Sequence, residues 1–159
     1  MAGATLIEID ISEDKAKDLL QVSIRDNGRG MDAKMLKGVT DPFVTTRTTR
    51  RVGMGLSLLE QAAEETGGDL VITSESGKGT RVVATFRESH IDRKPIGDMG
   101  ATLSTLIMAN PDLDFVYSSN LHGEETDVDT RSIRAELNGS VNINDPAVIR
   151  LISALFEKE

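Results

Sequence analysis

Leu20-Gln21-Val22-Ser23-Ile24-Arg25-Asp26-Asn27-Gly28-Arg29-Gly30-Met31 is the stretch on which the fold turns. Its first half alternates apolar and polar residues, the pattern of a strand with one buried face, and runs into an aspartate and two closely spaced glycines. Upstream, Thr5-Leu6-Ile7-Glu8-Ile9-Asp10-Ile11 alternates in the same way, and the charged Ser12 to Asp18 reads as a turn, so the two segments pair as a hairpin. Downstream, a short helical stretch runs to about Lys37, and residues 38–52, rich in Thr and Arg and without periodicity, read as a long loop. Leu56, Leu59, Ala62 and Ala63 have helical spacing, and Gly67-Gly68 stops that helix. Asp69 to Ser74 and Thr80 to Arg87 alternate around Gly77-Lys78-Gly79, a second hairpin.

The remainder differs in character. Residues 1–88 carry 12 Lys/Arg and 14 Asp/Glu, whereas residues 89–159 carry 6 and 12. The polar stretch His90 to Pro95 marks a junction, so the chain divides into a main domain, 1–88, and a C-terminal α/β appendage, 89–159. In the appendage, Asp98 caps a helix to Ala109, Asp114 to Ser118 is a strand turning at His122-Gly123, and Asp129 or Thr130 caps a helix to about Leu137. Asp145-Pro146 opens a last helix to about Phe156. Asp112, Asp114, Asp127 and Asp129 lack the loop spacing of a calcium-binding hand and read as a solvated acidic face.

Composition excludes several classes. The 159 residues contain no cysteine, which removes disulfides, thiolate metal sites and cysteine nucleophiles, and the two histidines, His90 and His122, do not make a histidine-rich metal centre. A net charge of −8 and 3% aromatic residues argue against nucleic-acid partners. No apolar run is long enough to span a membrane and no signal peptide is visible, so the cytoplasm is the expected address.

Three G-x-G pairs stand at element boundaries: Gly28/Gly30, Gly53/Gly55 and Gly77/Gly79. Gly28 to Ala33 fits the dinucleotide fingerprint G-x-G-x-x-A, but Asp26 and Asn27 separate it from the strand and Gly38 and Pro42 interrupt the long helix that it requires. No P-loop is present.

Asp26-Asn27-Gly28-Arg29-Gly30-Met31 resembles the G1 box, D-x-G-x-G, of the GHKL ATPases (gyrase, heat-shock-90, histidine kinase, MutL). Asp41-Pro42-Phe43 resembles their F box, Gly53-Met54-Gly55-Leu56-Ser57-Leu58 the G2 box of histidine kinases, and Ser76-Gly77-Lys78-Gly79-Thr80 the closing S-x-x-G-x-G-T element. The resemblance covers about residues 2–87. It implies an α+β, two-layer sandwich of the Bergerat type with a mixed sheet, holding ATP or ADP under a mobile lid.

On that resemblance, Asp26 accepts from the adenine amine, Gly28 and Gly30 let the backbone lie against the base, and Thr80 supports Asp26. Met31, Phe43 and Met54 line the pocket, with core packing as the alternative role. Arg47, Arg50 and Arg51, in the lid segment 44–52, face phosphates, with a solvated loop as the alternative. Gly53, Gly55 and Leu56 open a helix whose free N–H groups suit phosphate oxygens.

The N box, the helix whose asparagine holds Mg²⁺ in the family, has no counterpart in this chain; Ala2-Gly3-Ala4-Thr5 resembles only its end. No catalytic or metal-ligating residue is therefore assigned. The expectation is a nucleotide-binding protein of bacterial signalling or regulation. The alternatives are an active kinase or ATPase completed by an upstream N-box segment, and an interaction domain that keeps the fold without the catalysis. Without that helix, the sheet face carrying Ile7, Ile9 and Val22 should self-associate or recruit a helix from elsewhere, and the appendage is a second candidate partner surface. Ser89-His90-Ile91-Asp92-Arg93-Lys94-Pro95 resembles a phosphoacceptor box but follows the domain and is broken by Pro95, Gly97 and Gly100, so it reads as a linker.

Overall fold

A computed structural model describes residues 3–39 and 54–157. The first hairpin forms as its alternation requires, with β1 (Leu6–Asp14) antiparallel to β2 (Leu19–Asp26). Asp18 closes its turn at a φ of 52°, the left-handed region that aspartate tolerates better than most residues. A short α1 (Ala33–Lys37) is capped by Asp32, and α2 (Met54–Glu64) precedes the second hairpin, β3 (Asp69–Glu75) and β4 (Gly79–Arg87). Then follow α3 (Met99–Ala109), β5 (Asp114–Leu121), β6 (Glu124–Asp129), α4 (Thr130–Leu137) and α5 (Pro146–Ala154). The caps on the last three helices are Asp98, Asp129 and Asp145, the residues that the sequence marks, each accepting from a first-turn N–H.

All six strands belong to one sheet, in the order β3-β4-β2-β1-β5-β6. β5 lies parallel to β1 and every other pair is antiparallel, so the sheet is mixed. The sheet thus continues across the charge boundary at residue 88: β5 and β6 are added to the free side of β1. The strand β6, Glu-Glu-Thr-Asp-Val-Asp, is one that the pattern of apolar residues does not announce, since Val128 is its only large apolar side chain.

One face of the sheet carries Ile7, Ile9 and Ile11 from β1, Leu20, Val22 and Ile24 from β2, and Phe115 and Tyr117 from β5. Helices α3 and α5 cover its β1–β5 half. Leu103 and Ile107 of α3 and Val148, Ile149 and Ile152 of α5 join Ile9, Ile11, Phe115 and Tyr117 in one core. The ring of Tyr117 lies 5.1 Å from that of Phe156. The helix that the exposed strand face was expected to recruit therefore comes from the chain's own C-terminal segment, which brings Ile11 to 2% exposure. Farther along the same face, between this core and α2, Ile24 remains 37% exposed.

Two aspartates expected on a solvated acidic face are engaged by α4. Asp114 accepts from Thr130 Oγ1 at 2.9 Å and Arg134 Nε at 2.8 Å. Asp129 accepts from the Arg131 backbone N–H and pairs with the Arg131 guanidinium at 2.7 Å. These contacts, the Arg131 hydrogen bond foremost, hold the Asp129 carboxyl below its ordinary value of 3.8. A carboxyl with a depressed folded pKa stabilises the fold above the unfolded pKa and loses that contribution as the pH falls through the folded one. Asp129→Asn keeps a cap and removes the charge. It is expected to cost at most about 1 kcal/mol near pH 7, with the difference from wild type vanishing below the carboxylate range. Urea unfolding at pH 7 and in acid checks this.

Candidate nucleotide-binding site

Asp26 is the last residue of β2, and strand register places Thr80 of β4 opposite it and Ser74 of β3 opposite Thr80. The three polar side chains thus form a row at one end of the helix-bearing face. One step inward, Ile24, Val82 and Ile72 form a parallel apolar row.

Each polar group in the first row has a defined role. Asp26 Oδ1 accepts from the Gly28 N–H at 2.8 Å, which fixes the carboxylate plane, and its other oxygen accepts nothing from the described residues. Ser74 Oγ accepts from the Met31 N–H at 2.8 Å and donates to the Gly79 carbonyl at 2.9 Å. A hydroxyl has one proton, so the 2.9 Å contact between Ser74 and Thr80 hydroxyls has Thr80 donating. The lone pairs of Thr80 are left on the strand position paired with Asp26. Asp26 and Thr80 thus offer acceptors at the end of the apolar row, and a groove of about 330 Å³ at these strand ends is lined by Asp26, Ser74, Gly79 and Thr80 together with Arg25, Thr73 and Arg81 of the opposite face. Such acceptors suit a flat heterocycle with an exocyclic amine.

The glycines have a further duty. A Cβ on Gly30, at φ +64°, would fall 2.0 Å from the Glu75 carbonyl oxygen, and one on Gly79, at φ +101°, would fall 2.0 Å from the Asp26 carbonyl oxygen. The turn after β2 and the β3–β4 turn are thus in backbone contact, reinforced by the Gly77 N–H donating to the Arg29 carbonyl at 2.7 Å. Asn27 clamps the start of β1: its Oδ1 accepts from the N–H groups of Thr5 and Leu6, and its Nδ2 donates to Thr5 Oγ1.

Of the residues singled out in the sequence, Asp26, Gly28, Gly30, Met31 and Thr80 come together here. Met54, Gly55 and Leu56 stand at the start of α2, which packs on β3 and β4, without a hydrogen bond to the Asp26 row. Phe43, Arg47, Arg50, Arg51 and Gly53 lie outside the described residues. Ser74, which joins Met31, Gly79 and Thr80, is a site residue that motif reading passes over. Its signal is positional: it ends an alternating strand and pairs across the Gly77-Lys78-Gly79 turn with Thr80.

The pattern of the histidine kinase-, DNA gyrase B- and HSP90-like ATPases matches residues 1–90. The chain belongs to that family. This ATPase domain is similar to sporulation kinase E of Bacillus subtilis, with 39% identity over 64 residues, covering 40% of this chain and 8% of that protein. It is also similar to the sensor histidine kinase WalK of the same organism, with 32% identity over 89 residues, covering 53% and 14%. The chain thus spans only a small fraction of the kinases that it matches. The crystal structure of the N-terminal domain of a DNA repair protein shares the fold, with a TM-score of 0.52 at 17% identity, covering 80% of this chain and 47% of that one. No helix among the described residues is long and apolar enough to cross a membrane.

The ATPase family implies ATP with Mg²⁺. The Asp26 row fits the base end of a nucleotide. The metal fits less well: Glu75, the other carboxylate of the groove, pairs with Lys78 at 2.7 Å. Among the described residues, no group of three metal-ligating side chains gathers at this end of the sheet.

Proposed function

We propose that residues 1–88 form a histidine-kinase-like module that binds ATP and ADP in the cytoplasm of a bacterial signalling or regulatory system, with residues 89–159 a C-terminal unit fused to its sheet. The supporting observation is the cross-strand pair Asp26–Thr80 next to the apolar pair Ile24–Val82, with one Asp26 oxygen accepting nothing from the described residues. In this reading the adenine amine donates to Asp26, Thr80 holds a ring-nitrogen partner through water, and Gly28 and Gly30 lie along the base. Arg47, Arg50 and the helix opening at Gly53, Met54, Gly55 and Leu56 serve the phosphates, while Met31 and Phe43 border the base. The chain's own residues bind and orient the nucleotide.

Titration calorimetry with ADP tests the assignment. Asp26→Ala removes a charged acceptor and is expected to weaken ADP by about 1.5–3 kcal/mol, roughly one to two decades. Guanine nucleotides, which carry a carbonyl where adenine has its amine, should bind wild type no better than Asp26→Ala binds ADP. An Asp26→Ala protein that binds ADP as wild type does would overturn the role of this carboxylate.

A further inference from the structure

The strand directions that put Asp26 at one end of the sheet gather a different set of side chains at the other. β1, β4 and β5 run the same way, so the end of β1, the residue after β4 and the β5–β6 turn meet there. They contribute Glu13, Glu88 and His122, whose ligand atoms all lie within 4.8 Å of one another. From Ile7 beside Asp26 to Glu13 is six residues of strand, on the order of 20 Å.

The Glu13 side chain is only 6% exposed, yet its carboxylate has no partner outside the trio among the described residues. It accepts from the His122 backbone N–H at 2.8 Å and faces His122 Nδ1 at 3.2 Å, with the Glu88 carboxylate close by. No lysine or arginine among the described residues pairs with either glutamate. The guanidinium of Arg93 is turned to the carbonyls of Glu88 and Lys94, and that of Arg87 to Asp18. Two carboxylates this close, one of them buried, favour a cation between them. Beside them opens a cavity of about 690 Å³ whose wall includes Glu13, Arg93, Asp98, Tyr117, His122 and Phe156.

We propose that Glu13, Glu88 and His122 bind a divalent first-row transition ion of the Zn²⁺ class, with the remaining coordination positions open to this cavity. Two carboxylates and an imidazole are a borderline donor set; the imidazole disfavours Mg²⁺ and Ca²⁺, which take oxygen ligands. Donors around a tetrahedral zinc with bonds near 2.1 Å stand roughly 3.4 Å apart, so the trio needs to close by about an ångström. Each ligand comes from a different part of the sheet, and the ion would tie β1, the exit of β4 and the β5–β6 hairpin together. This site is independent of the nucleotide reading.

The test uses the full chain, stripped with a chelator and titrated with Zn²⁺ alone. One ion per chain is expected. Glu13→Gln, Glu88→Gln and His122→Asn should each weaken it at least about tenfold. Asparagine suits the φ of 56° at residue 122, so the hairpin survives that change. Asp112→Asn, outside the trio, should bind as wild type. In the wild-type Co²⁺ form, the ring protons of His122, and not those of His90, should show the large contact shifts of a ligating imidazole, a readout that needs no variant. Absence of binding would reduce the trio to an imidazole–carboxylate pair. Binding insensitive to all three substitutions, or shifts at His90 alone, would place the ion elsewhere and overturn the assignment.

Discussion

Gly79→Ala is expected to collapse the nucleotide site and destabilise the whole chain. A Cβ at this position meets the Asp26–Asn27 peptide, 2.0 Å from the Asp26 carbonyl oxygen and 3.0 Å from the Asn27 Cα, where no flexible side chain can yield. Relief requires opening the ladder at the Asp26–Thr80 pair, the pair that defines the site. The expected cost is about 3 kcal/mol or more, with ADP binding lost in parallel. Gly77→Ala is the matched control: its φ of +82° is also left-handed, but a Cβ there meets nothing within 4 Å. It should cost only the conformational penalty, about 1–2 kcal/mol. Denaturant midpoints and ADP titrations of both proteins decide the matter; equal losses would mean that the close approach is not what demands glycine at 79.

Ile107→Ala should be comparably severe for a different reason. Ile107 is fully buried in α3, in the core shared with Ile9 and Ile11 of β1. Truncating such a side chain costs about 2–5 kcal/mol. The informative part is how the loss is distributed. Tyr117, the chain's single tyrosine in the absence of tryptophan, is a fluorescent reporter inside the C-terminal core, whereas ADP binding reports on the distant end of β2. If α3 and α5 complete one core with the first hairpin, Ile107→Ala shifts both transitions to the same lower midpoint. Two separated transitions, with only the tyrosine signal moved, would show that the C-terminal segment folds as an independent unit.

The end of the sheet that carries Asp26 is legible in the sequence because its determinants are local. A two-residue alternation sets the face of each strand, and the G-x-G spacings report turns in which backbone touches backbone. Asp26 and Thr80 stand in such motifs, whereas Ser74 does not, because its place in the row arises only when β3 is laid against β4. The same applies on a larger scale to the C-terminal segment. Its helices are marked by Asp98, Asp129 and Asp145, but the pairing of β5 with β1 joins residues about a hundred positions apart, and no local pattern encodes that choice. The strand β6 is hidden further by its composition, since a border strand needs few apolar residues. Glu13, Glu88 and His122 are equally invisible, being scattered along the chain and united only by strand direction. The F-box phenylalanine and the lid arginines fall outside the described residues.

The acidic makeup of β6 has a consequence for how these molecules behave in a crowd. A sheet grows when the outward backbone groups of its last strand accept a strand from a neighbour. Here the last strand carries Glu124, Glu125, Asp127 and Asp129 within six residues. A second copy approaching along that border would bring the same four acidic residues against them, and at neutral pH like charges across a strand pair repel. The addition of β5 and β6 therefore exchanges the apolar flank of β1 for a border that discourages templated growth.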